Sequence, residues 1–295
     1  MDTTDRPSAS SPAVRLPRAA RGLLLSCHPG PSGAVTVLIA VLAVSSGLRG
    51  GRCLLVAAAV LAGQLSVGWC NDAFDARRDA DAGRTGKPVA LGLVNRGTAW
   101  GAAAGALLLC AALSLACGAV AGAVHLGGVA AAWAYNLKLK ETALSWLPYA
   151  TGFAALPCLV ALSLPGSPWP AWWAVSAGAL LGVAAHLCDV LPDIEEDLRA
   201  GVRGLPQRWG AARTRLLLPL PLVAATAVLA LGPPGRPGGR TVVALAVVAL
   251  CGTAATAVGA VPRPDGAWRK TALAGTVAVA SADVALLLAQ GTGIA

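Results

Sequence analysis

Nine of the chain's 14 carboxylates fall in two short stretches. The first, Asn71-Asp72-Ala73-Phe74-Asp75-Ala76-Arg77-Arg78-Asp79-Ala80-Asp81, holds four. The second, Asp189-Val190-Leu191-Pro192-Asp193-Ile194-Glu195-Glu196-Asp197, holds five. A four-residue step on a helix turns about 40° past a full circle, so Asn71, Asp75 and Asp79 form one slowly drifting stripe, and Asp189, Asp193 and Asp197 another. Like charges spaced in this way destabilise a helix, and a carboxylate at membrane depth costs about 2.5–3.5 kcal/mol on insertion scales. Such clusters need a cation, and removing one carboxylate from the metal-free protein is expected to relieve repulsion. Hard oxygen donors without His or Cys suit Mg²⁺, held by a few carboxylates together with the oxygens of a phosphorylated substrate. Arg77, Arg78, Arg84, Lys87, Lys138, Lys140 and Arg203, on the same side of the membrane by span order, are further phosphate donors.

The elements that must position these residues are membrane helices. The chain is 56% hydrophobic and 13% charged, with a mean hydropathy of +0.66, whereas soluble proteins carry about 25% charged residues. Its apolar residues come in long Ala, Leu and Val runs, which exclude a disordered chain and a membrane barrel of short alternating strands. A span needs roughly 20 apolar residues. Nine candidates result: 31–48, 53–74, 97–116, 118–137, 143–163, 170–190, 213–232, 240–260 and 270–290. The fold class expected is therefore all-α, a polytopic membrane protein with nine transmembrane helices bundled around a central cavity. Residues 1–20 read as a disordered cytoplasmic tail and 21–295 as the membrane domain.

Nine spans with the N-terminus inside place 19 of the 23 basic residues on the cytoplasmic side, leaving Arg49, Arg52, Arg236 and Arg240 outside. The excess of positive charge thus reports orientation and no nucleic-acid partner. Both acidic stretches fall on the cytoplasmic side, after spans 2 and 6. The eight cysteines have no metal-ligand spacing and read as small buried hydrophobes.

Asn71-Asp72-x-x-Asp75-x-x-x-Asp79 resembles the first aspartate-rich motif of the UbiA superfamily of intramembrane prenyltransferases. Asp193-x-x-x-Asp197, followed by Leu-Arg-Ala-Gly-Val-Arg-Gly-Leu-Pro, resembles the second motif with its basic, Gly-containing loop. The resemblance extends from about residue 22 over nearly the whole chain. It implies nine helices around a cavity, a cytoplasmic cap, and two Mg²⁺ ions clasping an isoprenyl diphosphate. Asn71 and Asp75 would then hold one ion, Asp193 and Asp197 the other, with Asp72, Asp79 and Asp189 in support. The chain departs from the family's YxxxK pattern: Tyr135-Asn136-Leu137-Lys138-Leu139-Lys140 carries Leu139 at the Lys position, with Lys138 and Lys140 as substitutes. The implied activity is ionisation of an isoprenyl diphosphate and transfer of the prenyl group to a small or lipid-like acceptor. Two alternatives stand beside it: a cyclase of the same superfamily, in which the cation is captured by its own double bonds, and a non-catalytic transporter or lipid-binding membrane protein.

Five further positions carry expectations. Gln64, seven residues before Asn71, and His186, three before Asp189, are expected to face the cavity, because polar residues inside a membrane usually point inward. His125 and Asp283 lie at similar depths and are expected to pair. Trp69, two residues from Asn71, is expected to form a wall of the prenyl pocket or a face for an allylic cation.

Overall fold

A computed structural model describes residues 17–234 and 293–295, together with positions 239, 247 and 250. Among these there is no strand. The helices are α1 (Arg18–Ser26), α2 (Pro29–Ser45), α3 (Gly50–Asp81), α4 (Arg96–Ala116), α5 (Ala119–Leu137) and α6 (Leu147–Leu162). They continue with α7 (Trp172–Val190), α8 (Ile194–Arg199), α9 (Leu205–Trp209), α10 (Ala211–Leu217) and α11 (Pro219–Leu231). Helices α2 to α7 correspond to the first six expected spans, and α10 with α11 to the seventh. The spans at 240–260 and 270–290, and residues 1–16 of the expected tail, lie outside the described residues. Arg18 to Ala20, at the end of that tail, are already helical.

Four described helices are long and apolar enough to cross a membrane: Gly50–Asp81, Arg96–Ala116, Trp172–Arg199 and Ala211–Leu231. The count is five if α1 and α2, bent by 58° to each other, make one span. The bend has a local cause. His28 adopts a left-handed conformation (φ 54°), and Pro29, which has no N–H to give, starts the new helix. At the start of α4, Asn95 caps the helix by accepting from Gly97 N–H at 2.7 Å.

In lipid, helices are held together by close packing, because no water is expelled between apolar faces. Small residues accordingly sit where backbones meet. A Cβ at Gly178 would approach Phe153 O to 2.8 Å, and one at Gly182 would run into Tyr149 O, so these two glycines let α7 lie directly on α6. Chain neighbours pack in sequence, α2 on α3, α3 on α4, α4 on α5, α5 on α6 and α6 on α7, with α3 also touching α5 and α11 touching α7. This up-and-down order brings the C-terminal ends of α3, α5 and α7 to one end of the bundle. At the other end Arg52 donates to Ser163 O at 2.9 Å, and Ile294, fully buried, joins Leu48, Val56, Leu159 and Trp173 in an apolar base.

The second acidic stretch does not continue its helix. Pro192 cannot donate the next hydrogen bond and its ring opposes the carbonyl four residues back. Helix α7 therefore ends at Val190, Leu191–Asp193 make a 3₁₀ turn, and α8 begins at Ile194. The expected stripe of Asp189, Asp193 and Asp197 is thus carried over a turn, with all three side chains still facing one cavity.

Candidate active site

A cavity of about 540 Å³ opens among α2, α3, α5, α6 and α7. Asn71, Asp75, Asp189, Asp193 and Asp197 line its mouth, so residues far apart in sequence meet there. Below them the walls are largely apolar, including Leu38, Val67, Phe153, Leu156 and Leu181. An outer vestibule of about 820 Å³ shares Arg78, Arg84, Lys87 and Asp193 with the mouth.

Cations from the loops already compensate the carboxylates. Lys140, from the 3₁₀ turn Leu139–Glu141, places Nζ 2.6 Å from both oxygens of Asp75. Both side chains are buried, 6% and 8% exposed, which decides that this is a desolvated pair. Burial pushes the Lys140 pKa below the ordinary lysine value, with Asp75 opposing the shift. Arg78 also donates to Asp75 and lies 3.5 Å from Glu141. Lys87 donates to Asn71 Oδ1 at 3.0 Å, while Asn71 Nδ2 donates to Asp75 at 3.3 Å and to Asn136 Oδ1 at 3.2 Å.

Arg84 joins the two acidic stretches. It reaches Asp197 at 2.9 Å, Asp79 at 3.3 Å and Glu196 at 3.6 Å. Burial works to lower its pKa, but the hydrogen bond and charge of Asp197, with Asp79 and Asp193 nearby, outweigh it and raise the value. Gln207 donates to the other oxygen of Asp197 at 2.9 Å. These contacts overturn the expectation that removing one carboxylate relieves repulsion, since Asp75 and Asp197 are each held by at least one cation.

Not every residue singled out in the sequence faces the cavity. Asp72 is buried on the far side of α3, accepting from Val89 N–H at 3.1 Å and lying 3.7 Å from Lys87. Asp79 is likewise buried, against Arg84. Arg77 and Arg203 are exposed and line neither hollow. Of the two candidate lysines, Lys140 lines the cavity, whereas Lys138 has its side chain 76% exposed and pairs with Glu141 at 3.1 Å.

Gln64 lines the cavity as expected, because seven residues return almost to the same face of α3. His186 does not. A three-residue step falls about 60° short of a full turn, which carries the ring behind the cavity wall, where Nε2 meets Ser145 Oγ at 3.1 Å and the ring packs on Tyr135 and Tyr149. Trp69 is no pocket wall either: its Nε1 donates to Leu23 O at 2.8 Å, tying α3 to α1. His125 lines the cavity with Nδ1 2.7 Å from Ser114 Oγ. Asp283, its expected partner, lies outside the described residues.

Three polar groups escaped the sequence reading. Tyr149 OH donates to Asp189 at 2.6 Å, Gln207 holds Asp197, and Asn136 links Asn71 to Val67 O. Asn136 carried a signal, as the one amide side chain in the stretch 118–137. Among the described residues no three His, Cys, Asp or Glu side chains converge on one point.

The profile of the UbiA prenyltransferase family matches residues 33–282. No curated protein sequence matches the chain. Among solved structures, a UbiA homolog from Archaeoglobus fulgidus bound to GPP and Mg²⁺ superposes with a TM-score of 0.66 at 16% identity, covering 90% of this chain and 99% of that one. A digeranylgeranylglyceryl phosphate synthase gives 0.63 at 17% identity, over 92% and 99% of the two chains. A UbiA homolog from Aeropyrum pernix K1 gives 0.58 at 19%, over 94% and 98%. At these identities the likeness carries the fold.

Proposed function

Given that the chain belongs to the UbiA prenyltransferase family, we propose that it is a Mg²⁺-dependent intramembrane prenyltransferase. It would ionise an isoprenyl diphosphate and pass the prenyl group to a small or lipid-like acceptor. The observation that carries this reading is the meeting of Asn71 and Asp75 with Asp189, Asp193 and Asp197 at one mouth above an apolar chamber. The nine-span topology, with N-terminus and mouth on the cytoplasmic side, belongs to the same proposal and is supported by the distribution of Lys and Arg.

The donor set fits Mg²⁺. Carboxylate and amide oxygens lining one mouth, without Cys, suit an ion that keeps several waters and completes its shell with substrate phosphate. Asn71 and Asp75 would hold one ion and Asp193 and Asp197 the other. Bound there, Mg²⁺ supplies charge neutralisation that makes diphosphate a good leaving group. Asp72, Asp79 and Asp189 act in support: Asp72 anchors the loop after α3 through Val89, Asp79 steadies Arg84, and Asp189 orients Tyr149.

The chain's cations do the rest at the mouth. Lys140, Arg78 and Arg84 neutralise carboxylates at the mouth, and toward a bound substrate the same groups and Lys87 would donate charge-assisted hydrogen bonds to phosphate oxygens. The bond from prenyl carbon to bridging oxygen breaks with its electron pair leaving on the diphosphate. The allylic cation stays in a chamber whose largely apolar walls exclude water, until the acceptor's nucleophile attacks it and passes its proton to the departed diphosphate.

The test uses purified protein with Mg²⁺ and geranyl, farnesyl or geranylgeranyl diphosphate, with and without membrane extract, and mass spectrometry of the products. An acceptor-dependent prenylated product that disappears with EDTA is expected. No consumption of any donor would overturn the proposal, and a hydrocarbon product formed without acceptor would assign the cyclase reaction instead.

A further inference from the structure

The chamber below the mouth is not apolar throughout. Gln64 on α3 and His125 on α5 both line it. The hydrogen bond between Asn71 and Asn136 marks a common level on the two helices. From that level Gln64 lies seven residues down α3, roughly 10 Å, and His125 eleven residues down α5, roughly 16 Å, at 1.5 Å per residue. A Cβ at Gly63 would lie in ordinary contact with His125 Cε1, at 3.6 Å, so the imidazole reaches back to the level next below Gln64. Ser114 fixes the imidazole through Nδ1.

The reacting carbon of a prenyl donor stays beside its diphosphate, so only the far end of the tail can meet these groups. A hydrocarbon tail offers no hydrogen bond. Laying it over an amide and an imidazole removes their water without replacement, which is the costly way to bury polar atoms. Tail length then decides the outcome. With C–C bonds of about 1.5 Å, the extended main chain of a geranyl group spans roughly 9 Å, a farnesyl group roughly 14 Å and a geranylgeranyl group roughly 19 Å.

We infer that Gln64 and His125 form a polar floor that restricts this chain to short prenyl donors. A geranyl tail ends at the level of Gln64, whereas farnesyl and geranylgeranyl tails must pass Gln64 and the His125 ring beside it. The inference rests on the prenyl-donor reading above and adds the donor class to it.

The experiment measures binding of the three diphosphates to the full-length protein in detergent with Mg²⁺, by titration calorimetry and by thermal shift, so that it reads affinity apart from turnover. In a micelle the tail comes from an apolar medium, so added methylenes bring no transfer gain of their own. Geranyl diphosphate is expected to bind at least about ten-fold more tightly than geranylgeranyl diphosphate, the scale of one buried polar group left unsatisfied. Gln64→Leu is expected to shrink that ratio about ten-fold. Gln64→Met, which keeps the side-chain length, repeats the measurement should the Leu variant fail to fold. Equal affinities in the parent, tighter binding of the longer donor, or a ratio unmoved by either substitution would overturn the floor while leaving the prenyl-donor reading intact. A protein that bound none of the three would overturn both.

Discussion

Asp75→Asn tests how charge is balanced at the mouth. In the metal-free protein the substitution leaves the Lys140 ammonium, 6% exposed, without its carboxylate, and takes one anion from Arg78. Breaking a buried pair from one side costs about 3–5 kcal/mol, because the remaining charge is uncompensated. Lys140 can instead shed its proton, at about 1.4 kcal/mol for each unit between its pKa and the pH. Burial has already lowered that pKa, so this route bounds the loss from above. Either way a few kcal/mol disappear. At about 2–4 °C per kcal/mol for a chain of this size, a loss of about 3 kcal/mol lowers the melting temperature by roughly 6–12 °C. The assay is thermal unfolding in detergent with EDTA, for the parent, Asp75→Asn, and the double variant Asp75→Asn/Lys140→Met. The double variant should recover much of the loss, since an apolar side chain of similar length replaces the stranded ammonium. If Asp75→Asn melted at or above the parent, repulsion among carboxylates would dominate the site and the compensation argument would be wrong.

Turnover should fall by at least about 10²-fold in Asp75→Asn and in Asp193→Asn, with the double variant little worse than either, as expected when one unit is disabled twice; additive losses would separate the two stretches. Lys140→Ala should likewise reduce kcat/KM by about 10²-fold, whereas Lys138→Ala, at an exposed position, should cost far less; the reverse order would put Lys138 at the diphosphate. Arg84→Gln should lower the metal-free melting temperature, since Asp79 loses its nearest cation in a buried place; an unchanged melt would make the Arg84 bridge idle. Thr85→Cys and Arg203→Cys, both at exposed positions beside the acidic stretches, should be labelled only from the cytoplasmic side in whole cells. Labelling from outside would invert the topology.

The acidic motifs could be read from sequence because an otherwise apolar chain makes every carboxylate conspicuous. Helix periodicity alone then put Asn71, Asp75 and Gln64 on one face, and α3 runs unbroken through all three. The second stretch was harder, since a 3₁₀ turn at Pro192 interrupts the helix on which its stripe was counted. His186 shows the limit of counting: a three-residue step leaves a 60° error, enough to move a ring from the cavity to the space behind Tyr149. Partners that come from loops were the least legible. Lys140 and Arg84 reach the carboxylates from short turns and Gln207 from the short helix α9, whose directions no periodic pattern encodes, and so the compensation of charge became visible only in three dimensions.

The central claim is that both acidic stretches grip one Mg²⁺-bound diphosphate. Its most direct test is a structure of the protein with Mn²⁺ and a non-hydrolysable geranyl diphosphate analogue, with anomalous scattering used to place the metal. The account predicts two metal peaks flanking one diphosphate, one beside Asn71 and Asp75 and the other beside Asp193 and Asp197. A diphosphate bound without metal, or metal peaks confined to one stretch or lying outside the mouth, would contradict it.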